Sequence, residues 1–143
     1  HKTLMASDKE PKKQLIYYLN LVYLDKKFNE MNSNEIRNRI TSSIHSKDPN
    51  AEAFLFGSRA RGDNRPDSDW DILILVENDK VTNEIEDNFR DDLFNIEIDS
   101  GQVITTFIYP KRYWNTKLIY SPLYENIKSE GIKLWKMNYD KTT

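Results

Sequence analysis

The chain's most reactive inventory lies in one stretch, Phe54–Val76, which reads FLFGSRARGDNRPDSDWDILILV. Asp69 and Asp71 stand two apart at the head of the apolar run Ile72–Val76. On a β-strand, residues two apart share a face, so the spacing predicts two carboxylates side by side with Trp70 on the opposite face. Two such charges repel unless a cation sits between them. Mg²⁺, a hard ion that takes oxygen ligands, is the usual partner where phosphates are also handled. Upstream, the run Ala53–Phe56 ends at Gly57-Ser58, with Arg59 and Arg61 beside it. Gly57 lets a ligand approach the backbone closely. Ser58 offers a hydroxyl, and the N–H groups after it can cradle phosphate oxygens if a helix begins there. A phosphate grip followed by a metal-binding acid pair is equipment for nucleotide chemistry.

Other readings of the stretch fit less well. From Asp67 the acids fall at the first, third and fifth positions of a calcium loop, but Ile72 stands where that loop needs glycine and Asn78 where it needs glutamate. A P-loop lacks its Lys-Ser or Lys-Thr at the required spacing. Arg61-Gly62-Asp63 spells an adhesion tripeptide too short to carry information. A plain hairpin with surface acids accommodates each residue singly, but not the set at this spacing.

The pattern Gly57-Ser58-Arg59-Ala60-Arg61-Gly62, followed by Ser68-Asp69-x-Asp71, resembles the DNA polymerase β-like nucleotidyltransferase superfamily, most of all its minimal nucleotidyltransferases. The resemblance extends more weakly through Tyr109–Trp114 and Ser121–Gly131, covering roughly residues 33 to 135. It implies transfer of a nucleoside monophosphate, AMP from ATP in the first instance, to an acceptor hydroxyl that the sequence does not identify. It further implies that Asp69 and Asp71 are catalytic and hold Mg²⁺ or Mn²⁺, and that Gly57, Ser58, Arg59 and Arg61 bind the nucleotide. Active members set a third acid on a neighbouring strand. Here the expected strand, QVITTFIY, carries none, and the family position falls near Gly101. Glu97 and Asp99 lie just upstream, and Asp99 is the candidate third catalytic residue. Were that region extended, both would share one face. Were it helical, Asp99 would close the helix.

The resemblance also implies a second function class. Many minimal nucleotidyltransferases pair with a HEPN-type helical toxin, so an antitoxin-like, nucleotide-binding partner with weak or lost catalysis is the alternative to an enzyme.

Composition is compatible with both. The chain has 143 residues and a formal charge of −2, so no generic polyanion-binding surface is expected. Charged residues make up 31%, but aromatics at 12% argue for a folded domain. Cysteine is absent, which excludes disulfides, thiolate metal sites and cysteine nucleophiles and suits a cytoplasmic setting. No apolar run approaches the ~20 residues of a membrane span, and no signal-peptide pattern opens the chain.

The expected elements form an α/β (α+β) domain with a small mixed sheet and flanking helices. Residues 1–10 are polar and expected to fray. Pro11 is placed to open a helix whose stripe Leu15, Ile16, Leu19, Val22 and Tyr23 either packs on the core, the favoured reading, or meets another subunit. Asn32-Ser33-Asn34 caps a second helix with the stripe Ile36, Ile40 and Ile44, ending at a solvated His45. Strands are expected at 51–56, 69–76 and 102–109. Helices are expected from Val81 or Thr82 to about Ile98 and from Ser121-Pro122 to Glu130, with Gly131 as a C′ residue and a short strand at 132–135. The resulting plan is an N-terminal helical extension at 1–30, a nucleotidyltransferase domain at 31–136 and a tail at 137–143. The first two strands should be neighbours, joined through a helical turn after Gly57.

Overall fold

The computed structural model of the chain describes the backbone of residues 2–29 and 31–136, and the side chains of residues 10–24 and 31–136. The expected tail lies outside the described residues. The chain divides into two compact units, His1–Asn32 and Ser33–Thr143.

The first unit is one helix, α1 (Lys2–Asn29), which runs through Pro11 instead of opening there. Helix-favouring residues precede the proline, and its cost is confined to one lost N–H and local crowding. Within this unit the stripe is exposed, with Leu15, Ile16, Leu19, Val22 and Tyr23 at 59, 51, 58, 54 and 64%.

The second unit runs α2 (Ser33–Lys47), β1 (Glu52–Phe56), α3 (Ser58–Arg61), β2 (Trp70–Val76), α4 (Asn83–Ser100), β3 (Ile104–Pro110), α5 (Lys111–Thr116), α6 (Pro122–Glu130) and β4 (Ile132–Lys133). Its four strands form one mixed sheet in the order β3-β2-β1-β4. β2 pairs antiparallel with β1 and parallel with β3, while β4 pairs antiparallel with β1. As the apolar run Ile72–Val76 implies, β2 is covered on both faces, and Asp71 is its one residue that is not buried.

The pairing register assigns the two layers. Leu73 and Leu75 share a face with Phe54, Phe56, Phe107 and Tyr109, and there they meet Trp114 of α5 and Ile127 of α6. The opposite face carries the fully buried Ile72 and Ile74. It is covered by α4, which touches β3, and by α2, which packs on α4. The buried stripes of these helices are Ile36, Ile40 and Ile44 on α2 and Phe89, Leu93 and Ile96 on α4. Each such side chain contributes about 1.5–3 kcal/mol relative to exposure.

Local signals set the helix ends. Thr82 caps α4 by accepting the Ile85 N–H, and Gly101 closes it in the left-handed conformation at φ 70°. Ser121 caps α6 by accepting the Tyr124 N–H, with Pro122 in the first turn. Gly131 does end α6, but with an extended φ of −65°, so it is no left-handed C′ residue. A Cβ there would collide with the Ile127 carbonyl, so glycine is needed for space. His45 is not solvated either: its Nε2–H donates to the Leu134 carbonyl at 2.9 Å, tying α2 to the residue after β4.

Candidate active site

The site forms where β1 and β2 end side by side. Register places Phe56 opposite Asp71, so the turn after β1 lies against the head of β2. Gly57 makes that turn at φ 76°, ψ −159°, a conformation essentially confined to glycine. A Cβ on Gly57 would collide with Asp71 Oδ2. The Asp71 carboxylate is thus seated directly on the Gly57 backbone, and the two motifs that the sequence separates by a loop become one surface.

Asp69 falls just before β2, not on it as expected, but it stands close enough to Asp71 to repel it and reaches Thr105, the strand neighbour of Asp71, while Trp70 between the two acids is buried. Asp69 is exposed, and its Oδ2 is 3.5 Å from Thr105 Oγ1 of β3. Asp71 is half-buried. Burial first, and then repulsion from Asp69, push its carboxyl above the usual aspartate range; Glu130 adds to the rise and Arg61 opposes it. A pair of mutually repelling carboxylates at the open end of a strand is a donor set that suits a hard divalent cation. Among the described residues no three His, Cys, Asp or Glu come together as a metal site. Such a cation would take its remaining ligands from water and from a bound phosphate.

The two arginines have different surroundings. Arg59 reaches across the loop before β2: its Nε donates to the Ser68 carbonyl at 3.0 Å, and Nη2 donates to the Pro66 carbonyl at 3.1 Å and to Gln102 Oε1 at 2.9 Å. Its guanidinium also lies 4.5 Å over the Trp70 ring, and Trp70 Nε1–H donates to the same Gln102 oxygen at 2.6 Å. Arg59 is therefore a clamp on the loop that delivers Asp69. Arg61 points the other way, with Nη1 2.9 Å from Glu130 Oε2 and Nε 3.3 Å from Asp63 Oδ2.

Asp99 is not brought to the acid pair. It lies in the last turn of α4, where its Oδ2 is 2.9 Å from Arg39 Nη1 of α2 in an exposed ion pair. The region is helical, so Glu97 and Asp99 do not share a face. Glu97 turns instead to the start of β3, where Oε2 accepts the Ile104 N–H at 3.1 Å. The residue beside Asp71 on β3 is Thr105, not Gly101. Sequence reasoning missed three residues here: Thr105, which only the strand register identifies; Gln102, which joins Arg59 to Trp70; and Glu130. The last is an acid at a helix end with no local signal, and it reaches Gly57 only through the pairing of β4 with β1.

The sequence pattern of the nucleotidyltransferase domain family matches residues 37–134. No curated protein matches the chain significantly. Among solved structures, the chain is similar to one described as a crystal structure of a toxin–antitoxin with AMP-PNP, with a TM-score of 0.51 and 19% identity, covering 73% of this chain and 76% of that one. At that identity the likeness speaks for the fold alone. Among the described residues, no helix is long and apolar enough to cross a membrane.

Proposed function

The chain belongs to the nucleotidyltransferase domain family, and from that premise we propose that it transfers a nucleoside monophosphate, AMP from ATP, to an acceptor hydroxyl. The observation that carries the proposal is the seating of Asp71 on the Gly57 backbone, with Asp69 close enough to repel it. Phosphoryl transfer rests on positioning and on charge stabilisation, and this surface offers both. Asp69 and Asp71 would hold a divalent cation, Mg²⁺ or Mn²⁺, whose bound charge offsets that of the triphosphate and of the departing pyrophosphate. Gly57 and Ser58 would receive the phosphates, the first by close backbone approach and the second through its hydroxyl. Arg61 would supply the cationic side chain. Arg59 would act on the nucleotide through the loop that it clamps. The proposed domain spans residues 31–136, with residues 1–30 an N-terminal extension, and a cytoplasmic setting suits the proposed use of ATP.

One observation favours a second reading. The strand neighbour of Asp71 is Thr105, where a third acid would be well placed. A nucleotide-binding, antitoxin-like partner of a HEPN-type toxin, with weak catalysis, accommodates that threonine, and the similar solved structure is itself a toxin–antitoxin.

Incubating the chain with α-labelled ATP and Mg²⁺, alone and with candidate acceptors that include a co-expressed helical partner, tests both readings. Mg²⁺-dependent labelling that Asp71→Asn abolishes supports the enzyme. Saturable Mg-ATP binding without labelling supports the binding partner. Absence of both overturns the nucleotide reading.

A further inference from the structure

Glu130 ends α6 with its side chain only 17% exposed. Its Oε2 is 2.9 Å from Arg61 Nη1, and its Oε1 accepts the Gly57 N–H at 3.4 Å. Both donors belong to the surface proposed to receive the triphosphate. A carboxylate held by a backbone N–H and a guanidinium is held by the kinds of group that hold a phosphate oxygen, and it carries the same sign of charge. Its position also carries an electrostatic cost. It stands close enough to Asp71 to repel it, although both are acids and Asp71 is already crowded by Asp69. Nor can Glu130 cap α6, because the free groups at a helix C-terminus are carbonyls and a carboxylate has no hydrogen to donate to them.

We propose that Glu130 is an internal competitor for the triphosphate: its carboxylate occupies the anion position between Gly57 and Arg61, and the nucleotide binds by displacing it. Glu130 thereby sets nucleotide affinity, and Arg61 becomes available to phosphate only on displacement. Arg61 suits such an exchange. Its partners are two side-chain carboxylates, and it is itself 47% exposed, so it can turn from Glu130 to a ligand without disturbing the backbone.

The inference rests on the proposed nucleotide site, and the experiment separates the two. Mg-AMP-PNP, inorganic tripolyphosphate with Mg²⁺, and adenosine are titrated calorimetrically into wild type, Glu130→Gln and Glu130→Ala. Glutamine keeps the shape and an acceptor for Arg61 but removes the competing charge. Alanine removes the group, and far-UV circular dichroism checks that both variants fold. Displacement predicts that Mg-AMP-PNP and tripolyphosphate each bind about 2- to 5-fold tighter to both variants, the scale of losing one partly exposed ion pair, with adenosine unchanged. Equal or weaker binding to the variants overturns the proposal; weaker Mg²⁺-dependent binding would instead make Glu130 part of the binding set. If neither wild type nor the variants bind Mg-AMP-PNP, the nucleotide site itself falls, and the competitor with it.

Discussion

Replacing Gly57 by alanine tests the closest approach in the site. Two separate penalties arise. The backbone at φ 76°, ψ −159° lies in a region that side chains rarely enter, at a cost of about 1–3 kcal/mol. The new Cβ would also collide with Asp71 Oδ2, with Asp71 Cγ at 3.1 Å and Cβ at 3.4 Å behind it. The carboxylate can turn away, since it is the end of a short side chain, but an off-rotamer Asp71 costs about 0.5–1.5 kcal/mol. Alanine restricts the unfolded chain more than glycine does, which returns about 0.4–1 kcal/mol. The net expectation is a loss of about 0.5–4 kcal/mol. Urea unfolding followed by the fluorescence of the buried Trp70 and Trp114 measures it. A double-mutant cycle with Asp71→Ala divides the loss. In that background the carboxylate is gone and Asp71 Cβ was already at an ordinary contact distance, so only the backbone penalty remains. A coupling of about 0.5–1.5 kcal/mol is therefore expected. A Gly57→Ala loss below about 0.5 kcal/mol would refute the assigned backbone conformation. A full loss with zero coupling would refute the seating of Asp71 on Gly57.

Asp71→Asn should leave the ligand-free protein as stable as wild type or more so, by up to about 1 kcal/mol for a half-exposed charge, and should abolish the thermal shift that Mg-ATP gives wild type. Because the folded-state pKa of Asp71 is raised, native wild type binds the proton more readily than the unfolded chain. The variant's advantage should hold at neutral pH, shrink as pH falls through the raised value and be gone below the ordinary aspartate range; an advantage independent of pH would show that it does not come from the charge. Arg59→Lys should cost about 1–3 kcal/mol in urea unfolding, because an ammonium cannot reproduce the fork to Ser68, Pro66 and Gln102, and it should shift Trp70 emission; a Lys variant matching wild type in both would remove Arg59 as the loop clamp. Asp99→Asn should lower stability by no more than about 1 kcal/mol, as expected for an exposed pair, and leave nucleotidyl transfer unchanged; a sharp fall in turnover would return Asp99 to the site.

The parts of the fold that were legible in the sequence are those whose signals are local. The four-residue step of Ile36, Ile40 and Ile44 reports a helix with one buried stripe because the helical repeat leaves no other face for them. The unbroken run Ile72–Val76 reports a strand covered on both sides because alternation is lost only when neither face meets water. The turn at Gly57-Ser58 and the position of Asp71 at the head of β2 were legible for the same reason: each rests on a motif of a few neighbouring residues. Pro11 misled because a proline suited to a helix's first turn does not fix the helix start where helix-favouring sequence lies on both sides. Glu130 and Gln102 were silent because their roles exist only after folding, across 73 residues to Gly57 and 43 to Arg59. Thr105 was silent because its position beside Asp71 is a fact of strand register, and a parallel neighbour is brought in only by a long crossover connection.

The arrangement also explains why two arginines so close in sequence serve different ends. Arg59 donates chiefly to backbone carbonyls of the loop and to Gln102, and is stacked on Trp70. A ligand that took its donors would leave those carbonyls without partners and release the loop carrying Asp69, so Arg59 is suited to hold the site and unsuited to exchange. Among the described residues Arg61 bonds only to side-chain carboxylates, Asp63 and Glu130, so its departure leaves no backbone carbonyl of the loop without a partner. The cationic charge that a phosphate can recruit at little cost is therefore on Arg61 alone of the two. On the acid side, Thr105 leaves the strand neighbour of Asp71 uncharged. A divalent ion held by Asp69 and Asp71 would have only two protein carboxylates, the number with which Mg²⁺ commonly binds alongside substrate phosphates. Metal and nucleotide would then arrive as one ligand, with Arg61 turning to the same phosphates.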